Sequence, residues 1–269
     1  MISKSDKAQS SPIALFVSDV HLQQALPRTT EAFLTFLREK APCAKQLYLL
    51  GDLFEYWAGD DDIDSDYNQR IVSAIRDATA TGIDIFWIGG NRDFLVSAGF
   101  AASVGITLLP DPHVVELAGW RIALTHGDAQ CTDDHDYMAF RSQVRQEEWQ
   151  RQFLAMPLAQ RKAIINGLRN SSREAQRGKS YETMDVNESA IATLFDSTSA
   201  SVIIHGHTHR PGRHEYGNGA DKRIRYVLPD WDCDEESQRG GWLTLGEDGG
   251  FTFFDATGNA CETAIRTVS

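Results

Sequence analysis

The sequence predicts an α/β protein in which two mixed β-sheets form a sandwich flanked by helices, with a helical insertion between two of the strands. Three observations predict this class. Apolar runs and helical periodicity alternate along the first part of the chain, a hairpin follows, and a long helix-forming stretch precedes the last strands. With 269 residues, 42% of them hydrophobic, the chain is long enough to bury a substantial core.

The first half of the chain alternates strands with helices and then forms a hairpin. The first helix is expected to end before Pro42, because proline removes a backbone hydrogen bond from a helix. Gly82 is suited to the position just after a helix, where a left-handed conformation is common. Gly119 lies between the two strands of the hairpin. The predicted strands are 13–17, 46–50, 83–88, 106–109, 114–117 and 120–125, and the predicted helices are 30–40, 67–81 and 94–103.

The second half contains the insertion. Residues 134–198 are nearly all helix-forming, and we interpret them as a lid beside the site described below. The core is then 13–133 and 199–256. Residues 1–12 and 256–269 are polar, and we expect them to be disordered or frayed. Further strands are predicted at 200–205, 224–228, 241–246 and 250–254, and the last three are expected to complete the second sheet.

Composition excludes several classes of protein. A net charge of −12 disfavours broad binding to nucleic acid, because a phosphate backbone would be repelled. The four cysteines are scattered without close spacing, so neither a disulfide framework nor a zinc ribbon is favoured, and a reducing cytoplasm fits best. No stretch has the apolar length of a membrane-spanning helix or the pattern of a signal peptide.

One segment is basic although the chain as a whole is acidic. Residues 141–180 contain nine Lys or Arg and three Glu, a local charge of +6. A basic segment on an acidic protein suggests contact with an anion or a membrane surface. The alternative is an ordinary solvated helix face, and the charges alone do not decide between them.

Side chains that bind metal ions follow five of the predicted strands. Because strand ends of one layer can meet at one point, we expect these side chains to converge. The residues are Asp19, His21, Asp52, Asn91, His126, His207 and His209. Oxygen and imidazole ligands without a thiolate suit Mn²⁺, Fe²⁺ or Zn²⁺, and seven ligands are enough for two ions that share one carboxylate. Such a pair of ions favours displacement at phosphorus. The acidic run Asp60–Asp62 is instead interpreted as a loop with solvated carboxylates.

The order D-x-H, GD, GN, H and GHTH resembles the calcineurin-like metallophosphoesterases over residues 13–212. Many members of that family have His after the Asn of the GN motif, whereas this chain has Arg92. With Gly51–Glu55, His126–Asp128 and Met184–Asn187, the motifs are similar to those of the UDP-2,3-diacylglucosamine pyrophosphatase family of lipid A biosynthesis. The resemblance implies hydrolysis of UDP-2,3-diacylglucosamine to UMP and 2,3-diacylglucosamine 1-phosphate.

The resemblance also implies residue roles and partners. Asp19, His21, Asp52 and His209 would hold one Mn²⁺, and Asp52, Asn91, His126 and His207 a second, which gives two Mn²⁺ per chain. The catalytic residues would be Asp52, Asn91, Arg92 and His126. The substrate contacts would be Asn91, Arg92, Asp134, Ser172, Gln176, Lys179 and His207, although the family pattern has Asn at position 176. The implied location is the cytoplasmic side of the inner membrane, with neither nucleic acid nor an obligate protein partner.

Apolar residues of the insertion are expected to receive the acyl chains. Trp149, Phe153, Leu154, Met156 and Leu158 lie among the basic residues, as a lipid-binding lid would require. The alternative is that they simply pack the insertion on the core. Two other functions remain possible at this point: a phosphoesterase acting on soluble phosphodiesters or nucleotides, and a scaffold that binds partner proteins without catalysis.

Overall fold

Two β-sheets packed face to face form the centre of the computed structural model, which describes residues 12–176, 185–262 and 265–268. The predicted α/β sandwich of mixed sheets flanked by helices is confirmed. The strands are β1 (Pro12–Val17), β2 (Gln46–Leu50), β3 (Asp84–Ile88), β4 (Thr107–Leu108), β5 (His113–Leu117), β6 (Trp120–Leu124), β7 (Val202–His205), β8 (Gly212–Tyr216), β9 (Arg223–Val227), β10 (Gly241–Gly246), β11 (Phe251–Asp255), β12 (Ala260–Cys261) and β13 (Ile265–Val268). The helices are α1 (Pro27–Glu39), α2 (Asp66–Ala80), α3 (Ala98–Val104), α4 (His135–Val144), α5 (Glu147–Leu154), α6 (Leu158–Gln176) and α7 (Glu188–Thr198).

The first sheet has the order β12-β11-β10-β1-β2-β3-β4. Strands β1 to β4 are parallel, and α1, α2 and α3 connect them in sequence. Strand β10 pairs antiparallel with β1, and β11 then pairs with β10. Because β1, β2 and β3 run in one direction, their carboxyl ends lie at one edge of the sandwich.

The second sheet has the order β13-β8-β9-β7-β6-β5. Its hairpin, β5 and β6, is antiparallel as expected, with His113 opposite Leu124. Strands β6, β7 and β9 are parallel, and α7 lies between β6 and β7 in the chain. The carboxyl ends of β6 and β7 therefore also lie at one edge of their sheet.

Alternation along the strands separates the core into layers. In β1, Leu15 and Val17 belong to the cluster shared with the helices, whereas Ala14 and Phe16 belong to the cluster shared with the second sheet. This split follows from the two-residue period of a strand. A third cluster joins Ile203 of β7 to α7. The layers thus run from helices through both sheets to a further helix.

The structure corrects several details of the sequence predictions. Strands β10 and β11 join the first sheet, because β10 hydrogen-bonds to β1, and a strand's partner cannot be read from its own residues. The expectation that residues 256–269 fray is wrong for two described parts of that range, since β12 pairs with β11 and β13 with β8. Strand β8 was not predicted, because Gly212–Tyr216 is polar and lies near an edge of its sheet.

Helix α3 also begins later than the predicted residue 94. The Ser97 side chain accepts a hydrogen bond from the backbone N–H of Gly99, which caps the helix there, and Gly105 ends it in a left-handed conformation. Residues 1–11 and 177–184, together with the expectation of a disordered start, lie outside the described residues. Within the described parts of the chain, no helix is both long enough and apolar enough to cross a bilayer.

The acidic run Asp60–Asp62 has structural roles that the sequence did not predict. The Asp60 carboxylate accepts hydrogen bonds from Trp57 Nε1, from the Ser97 hydroxyl and from the backbone N–H of Phe100 at 2.7 Å. It thereby joins the aromatic loop to the start of α3. Asp62 is buried, so the expectation that these carboxylates are simply solvated is wrong.

Asp60→Ala should lower the free energy of unfolding by about 1–3 kcal/mol, because it removes a helix cap and leaves buried donors without an acceptor. Asp64→Ala is the matched control, since Asp64 is exposed in the same loop and should change stability by less than about 0.5 kcal/mol. Urea unfolding of both variants is the measurement. Equal stability of the two variants would contradict the capping role of Asp60.

Candidate metal centre

The five loops that follow β1, β2, β3, β6 and β7 meet at one edge of the sandwich and bring the predicted ligands together. Backbone hydrogen bonds hold the first two loops side by side, from the N–H of Asp19 to Gly51 O and from the N–H of His21 to Asp52 O, both at 3.0 Å. The N–H of His207 donates to Asp19 Oδ2 at 2.9 Å, which attaches the loop after β7. These contacts hold the strand ends together, as the sequence predicted.

One group of potential ligand atoms surrounds Asp19. Ligand atoms of Asp19, His21 and His209 lie within 4.8 Å of one another. The Nε2 atoms of the two histidines are only 3.3 Å apart, and His209 Nε2 lies 3.4 Å from Asp19 Oδ1. Asp52 Oδ2 lies 4.0 Å from His21 Nε2. These four residues form the first predicted set of ligands.

A second group lies on the other side of Asp52. Asn91 Oδ1 is 2.9 Å from His126 Nε2 and also 2.9 Å from His207 Nδ1. Asp52 Oδ1 lies 3.7 Å from His126 Nε2. The two oxygens of Asp52 thus face the two groups, which is the arrangement that a bridging carboxylate needs. His126 Nδ1 is 2.9 Å from Leu50 O, and a proton on Nδ1 leaves Nε2 free as a ligand.

The backbone at these positions is unusual. Asp19, His21, Asp52, His207 and His209 all have φ between 51° and 66°, a region that non-glycine residues seldom adopt. Such conformations persist only where the surrounding structure compensates their cost, and they concentrate at functional sites. The strain therefore occurs at five of the seven residues that the motifs identify.

Glycines allow the loops to approach closely. A Cβ on Gly90 would overlap the Asp52 carboxylate, and one on Gly206 would overlap the carboxylate of Asp19. Gly51 has φ of +85°, and a Cβ there would lie 2.5 Å from His126 Nδ1. Only glycine is compatible with this spacing of carboxylates and rings.

A buried carboxylate outside the predicted set organises two of the loops. Asp93 is fully buried and accepts hydrogen bonds from the backbone N–H groups of Gly90 at 2.8 Å, Leu53 at 2.7 Å, Asp52 at 3.2 Å and Phe54 at 3.3 Å. Burial, followed by the nearby charge of Asp52, raises the pKa of Asp93 to about 6. The loops that carry Asp52 and Asn91 are thus attached to one side chain.

The electrostatics of the site favour cations. Burial lowers the pKa of His126, but Asp52 and Asp19 outweigh it and raise the pKa to about 9. For Asp19, burial raises the pKa, whereas contact with His209 and the charges of His126 and His21 bring it well below its usual range. Asp19 Oδ1 is buried and accepts no hydrogen bond in good geometry from the described residues. A buried acceptor among carboxylates and imidazole nitrogens fits a divalent metal ion.

A cavity of about 710 Å³ opens directly over these groups. One wall contains Arg92, whose Nε is buried and has no hydrogen-bond partner among the described residues, and five of the seven potential metal ligands: His21, Asp52, Asn91, His207 and His209. The opposite wall is apolar and comes largely from the insertion, through Phe140, Trp149 and Leu168. A ligand of this cavity would combine an anionic part with an apolar part.

The other predicted contacts are only partly described. Asp134 lines the cavity and also caps α4, where it accepts a hydrogen bond from the N–H of Tyr137 at 3.1 Å. Ser172 and Gln176 lie on α6, but their side chains fall outside the described part of the chain, as does all of Lys179. Of the apolar residues predicted for the lid, Trp149 and Phe153 line the cavity, and Leu154, Met156 and Leu158 are not among its lining residues.

The basic residues of the insertion pair with carboxylates. Among the described side chains, Arg161 pairs with Asp61, Lys162 with Asp62 and Arg169 with Glu55. In these three pairs the acid belongs to the core. A fourth core acid, Asp128, accepts from Arg141 Nε at 2.8 Å and lies 3.7 Å from Arg145, whereas Arg151 pairs with Glu148 within the insertion itself. Many of the basic residues behind the local charge of +6 therefore attach the insertion to the acidic core. Neither interpretation of the sequence, an anion or membrane contact or a solvated helix face, included this role.

Sequence reasoning missed several residues around the site. Glu55 contacts His21, Tyr137 stacks on His207 with ring centroids 6.0 Å apart, and Arg145 donates to Gly90 O at 2.9 Å. In the sequence, Glu55 was only the last residue of the motif Gly51–Glu55, and Asp93 only the second residue after the Asn of the GN motif. Each is one charged or aromatic residue in a loop or helix, so residue type gave no signal apart from its place beside a ligand motif.

Comparison with known proteins agrees with this geometry. The sequence profile described as calcineurin-like phosphoesterase matches residues 14–211. The chain belongs to the calcineurin-like phosphoesterase family. Membership makes it a hydrolase with a dinuclear metal site, and the seven potential ligands are positioned for such a site.

Relatives of this calcineurin-like phosphoesterase include three proteins named UDP-2,3-diacylglucosamine hydrolase. The protein from Bordetella parapertussis is 45% identical over 86% of this chain and 91% of its own length. The protein from Sodalis glossinidius is 46% identical over 81% of this chain and 89% of its own length. The protein from Escherichia coli O7:K1 is 43% identical over 81% of this chain and 90% of its own length.

Gly90→Ala should abolish most metal binding, because the added Cβ would displace the Asp52 carboxylate. We expect bound metal per chain to fall by half or more, and activity by about 100-fold or more. Elemental analysis and steady-state kinetics are the measurements. Gly167→Ala is the control, since a Cβ there meets none of the described residues within 4 Å and should leave both quantities unchanged. Full metal content in Gly90→Ala would refute the role of this close approach.

Proposed function

We propose that this calcineurin-like phosphoesterase hydrolyses UDP-2,3-diacylglucosamine to UMP and 2,3-diacylglucosamine 1-phosphate, a reaction of lipid A biosynthesis. The observation that carries the proposal is the cavity with five of the potential metal ligands and Arg92 on one wall and apolar residues on the other. A diphosphate attached to two acyl chains has the same division of chemistry. The names of relatives that are 43–46% identical support the same substrate.

The proposed metal ligands are the two groups described above, with Asp52 shared between them. When bound, two divalent ions supply charge neutralisation at the phosphates and activation of water near neutral pH. Mn²⁺ is the proposed ion, which is supported by a set of oxygen and imidazole donors without thiolate. Elemental analysis of the purified protein, followed by chelation and addition of single metals, tests this choice.

Residues of the chain would bind and orient the diphosphate. The backbone N–H of Arg92 donates to Asp52 Oδ1 at 2.8 Å, which fixes the start of this side chain beside the metal ligands. Its guanidinium lines the cavity and can then contact the phosphates in a bidentate manner. Charge stabilisation by Arg suits a leaving group that is a sugar 1-phosphate and needs no proton. Asn91, Asp134, Ser172, Gln176, Lys179 and His207 remain proposed substrate contacts.

The insertion is the proposed lid. Its helices α4, α5 and α6 contribute the apolar wall, and Phe140 and Leu168 are 38% and 41% exposed although they are large and hydrophobic. Helix α7 differs, because it packs against the second sheet. We therefore assign α4 to α6 to the lid and α7 to the core. Exposed apolar side chains next to the proposed diphosphate-binding residues are expected for a protein that binds a lipid.

We also propose that the protein works at the cytoplasmic face of the inner membrane, without nucleic acid or an obligate protein partner. A diacyl substrate resides in a bilayer, and Arg173, Arg177 and Lys179 add positive charge to the basic segment. Cosedimentation with anionic vesicles at low and high salt is the test. Equal binding to neutral and anionic vesicles would contradict an electrostatic contact.

Turnover in ¹⁸O-labelled water tests the reaction. Water would attack the phosphorus that bears the uridine, the bond from that phosphorus to the bridging oxygen would break, and the sugar phosphate would leave with that oxygen. We therefore expect one labelled oxygen in UMP and none in the lipid phosphate, as measured by mass spectrometry. Label in the lipid phosphate would reverse the assigned polarity, and label in neither product would exclude hydrolysis.

Substitutions at the apolar wall distinguish a lipid substrate from a soluble one. Phe140→Ser and Leu168→Ser should each raise KM for the diacyl substrate by about 3-fold to 30-fold through lost apolar burial, with little change on a water-soluble phosphodiester. Leu154→Ser is the control, because Leu154 is 37% exposed on the same insertion but does not line the cavity. Equal losses on both substrates would favour a soluble phosphodiester as the natural substrate.

A further inference from the structure

Glu55 lies between a potential metal ligand and the insertion. Its side chain is buried, with 8% of the residue exposed, and it follows β2 in the loop that carries Asp52. Glu55 Oε2 lies 3.0 Å from His21 Nδ1, and Glu55 Oε1 forms an ion pair with Arg169 of α6. One carboxylate therefore contacts both the metal centre and the lid.

The contact with His21 favours one nitrogen as the metal ligand. The Glu55 carboxylate lies 3.0 Å from Nδ1 in a close contact without ideal hydrogen-bond alignment, which favours a proton on that atom; in the neutral ring the lone pair is then on Nε2. Nε2 is the atom that faces Asp19 at 3.9 Å and Asp52 at 4.0 Å. Glu55 thus holds the ring in the orientation and tautomer that the first ligand group needs.

The contact with Arg169 constrains Glu55 in turn. The Arg169 guanidinium also lies over the Tyr56 ring, 5.4 Å from its centroid, so it is held on two sides. Each oxygen of the Glu55 carboxylate thus has a polar neighbour, with Oε1 at Arg169 and Oε2 at His21. The carboxylate is oriented by a residue of α6.

We infer that Glu55 is a positioning residue for His21 and that Arg169 acts through it, so that the ion pair between Arg169 and Glu55 strengthens metal binding at the first group of ligands. By reciprocity, an ion bound at that group strengthens this ion pair and with it the attachment of α6 around Arg169. The inference rests on the metal assignment made under the proposed function. It does not depend on the identity of the substrate.

The helix offers a matched control. Lys162 lies two turns before Arg169 on α6 and forms an ion pair with Asp62, which is also a buried core carboxylate. Asp62 has no described contact with any potential metal ligand, and Lys162 does not line the cavity. Lys162→Met therefore weakens docking of the same helix without altering the contact between Glu55 and His21.

Mn²⁺ binding to the full chain, in a buffer that sets the free ion concentration and without any nucleotide, tests the inference. We expect Glu55→Gln to lower the affinity for one of the two ions by about 10-fold or more and to leave the affinity for the other within about 3-fold of the parent. Arg169→Met should lower the affinity for the same ion by about 3-fold to 10-fold, and Arg169→Lys should lower it by less. Lys162→Met should leave both affinities unchanged. Because Arg169 acts through Glu55, the double variant should match Glu55→Gln alone.

Three results would overturn the inference: unchanged affinity for both ions in Glu55→Gln, an undiminished effect of Arg169→Met in the Glu55→Gln background, or equal weakening by Lys162→Met and Arg169→Met. Urea unfolding of the metal-free variants separates lost folding from lost metal affinity. Hydrogen exchange of α6 with and without Mn²⁺ measures the reciprocal effect, and protection should rise with metal in the parent chain but not in Glu55→Gln. A failure to cleave the diacyl substrate would refute the proposed function and leave these measurements intact.

Discussion

Buried negative charge at the meeting point of the strand ends is the constraint on which the rest of this structure depends. Asp19, Asp52 and Asp93 are all buried there, and a carboxylate is costly to bury unless it is paired or hydrogen-bonded. Backbone N–H groups satisfy Asp93, and imidazole rings together with divalent ions would satisfy the other two. The glycines and the left-handed backbone follow from packing these groups so closely.

The same acidity explains the basic insertion. Carboxylates of the core accept ion pairs from its arginines and lysine, so the insertion is attached by charge as well as by apolar packing. The insertion also contacts residues next to the potential metal ligands, because Arg145 donates a hydrogen bond to the backbone carbonyl of Gly90, which precedes Asn91. Contacts of this kind can couple the insertion to the centre, because the basic residues of the insertion contact the same loops as the potential ligands.

The cavity has a charged wall and an apolar wall. Its charged wall is built on short loops after parallel strands, where positions are fixed by the sheets. Its apolar wall is built on helices whose exposed side chains, such as Phe140 and Leu168, have room to adapt. Rigid ligands beside an adaptable apolar surface suit a substrate with an invariant diphosphate and flexible acyl chains.

The sequence alone determined the fold class, most of the strands and helices and the seven potential metal ligands, because alternating apolar residues and ligand motifs are local patterns. It did not determine that β10 pairs with β1, nor that residues after 256 add edge strands, since pairing depends on distant partners. The roles of Glu55 and Asp93 could not be predicted although both lie in or beside ligand motifs, because a single carboxylate acquires a role only from what surrounds it. The tertiary structure also decided where the basic residues of the insertion go: ion pairs form between residues about 100 positions apart, as in Arg161 with Asp61, and no local pattern encodes that distance.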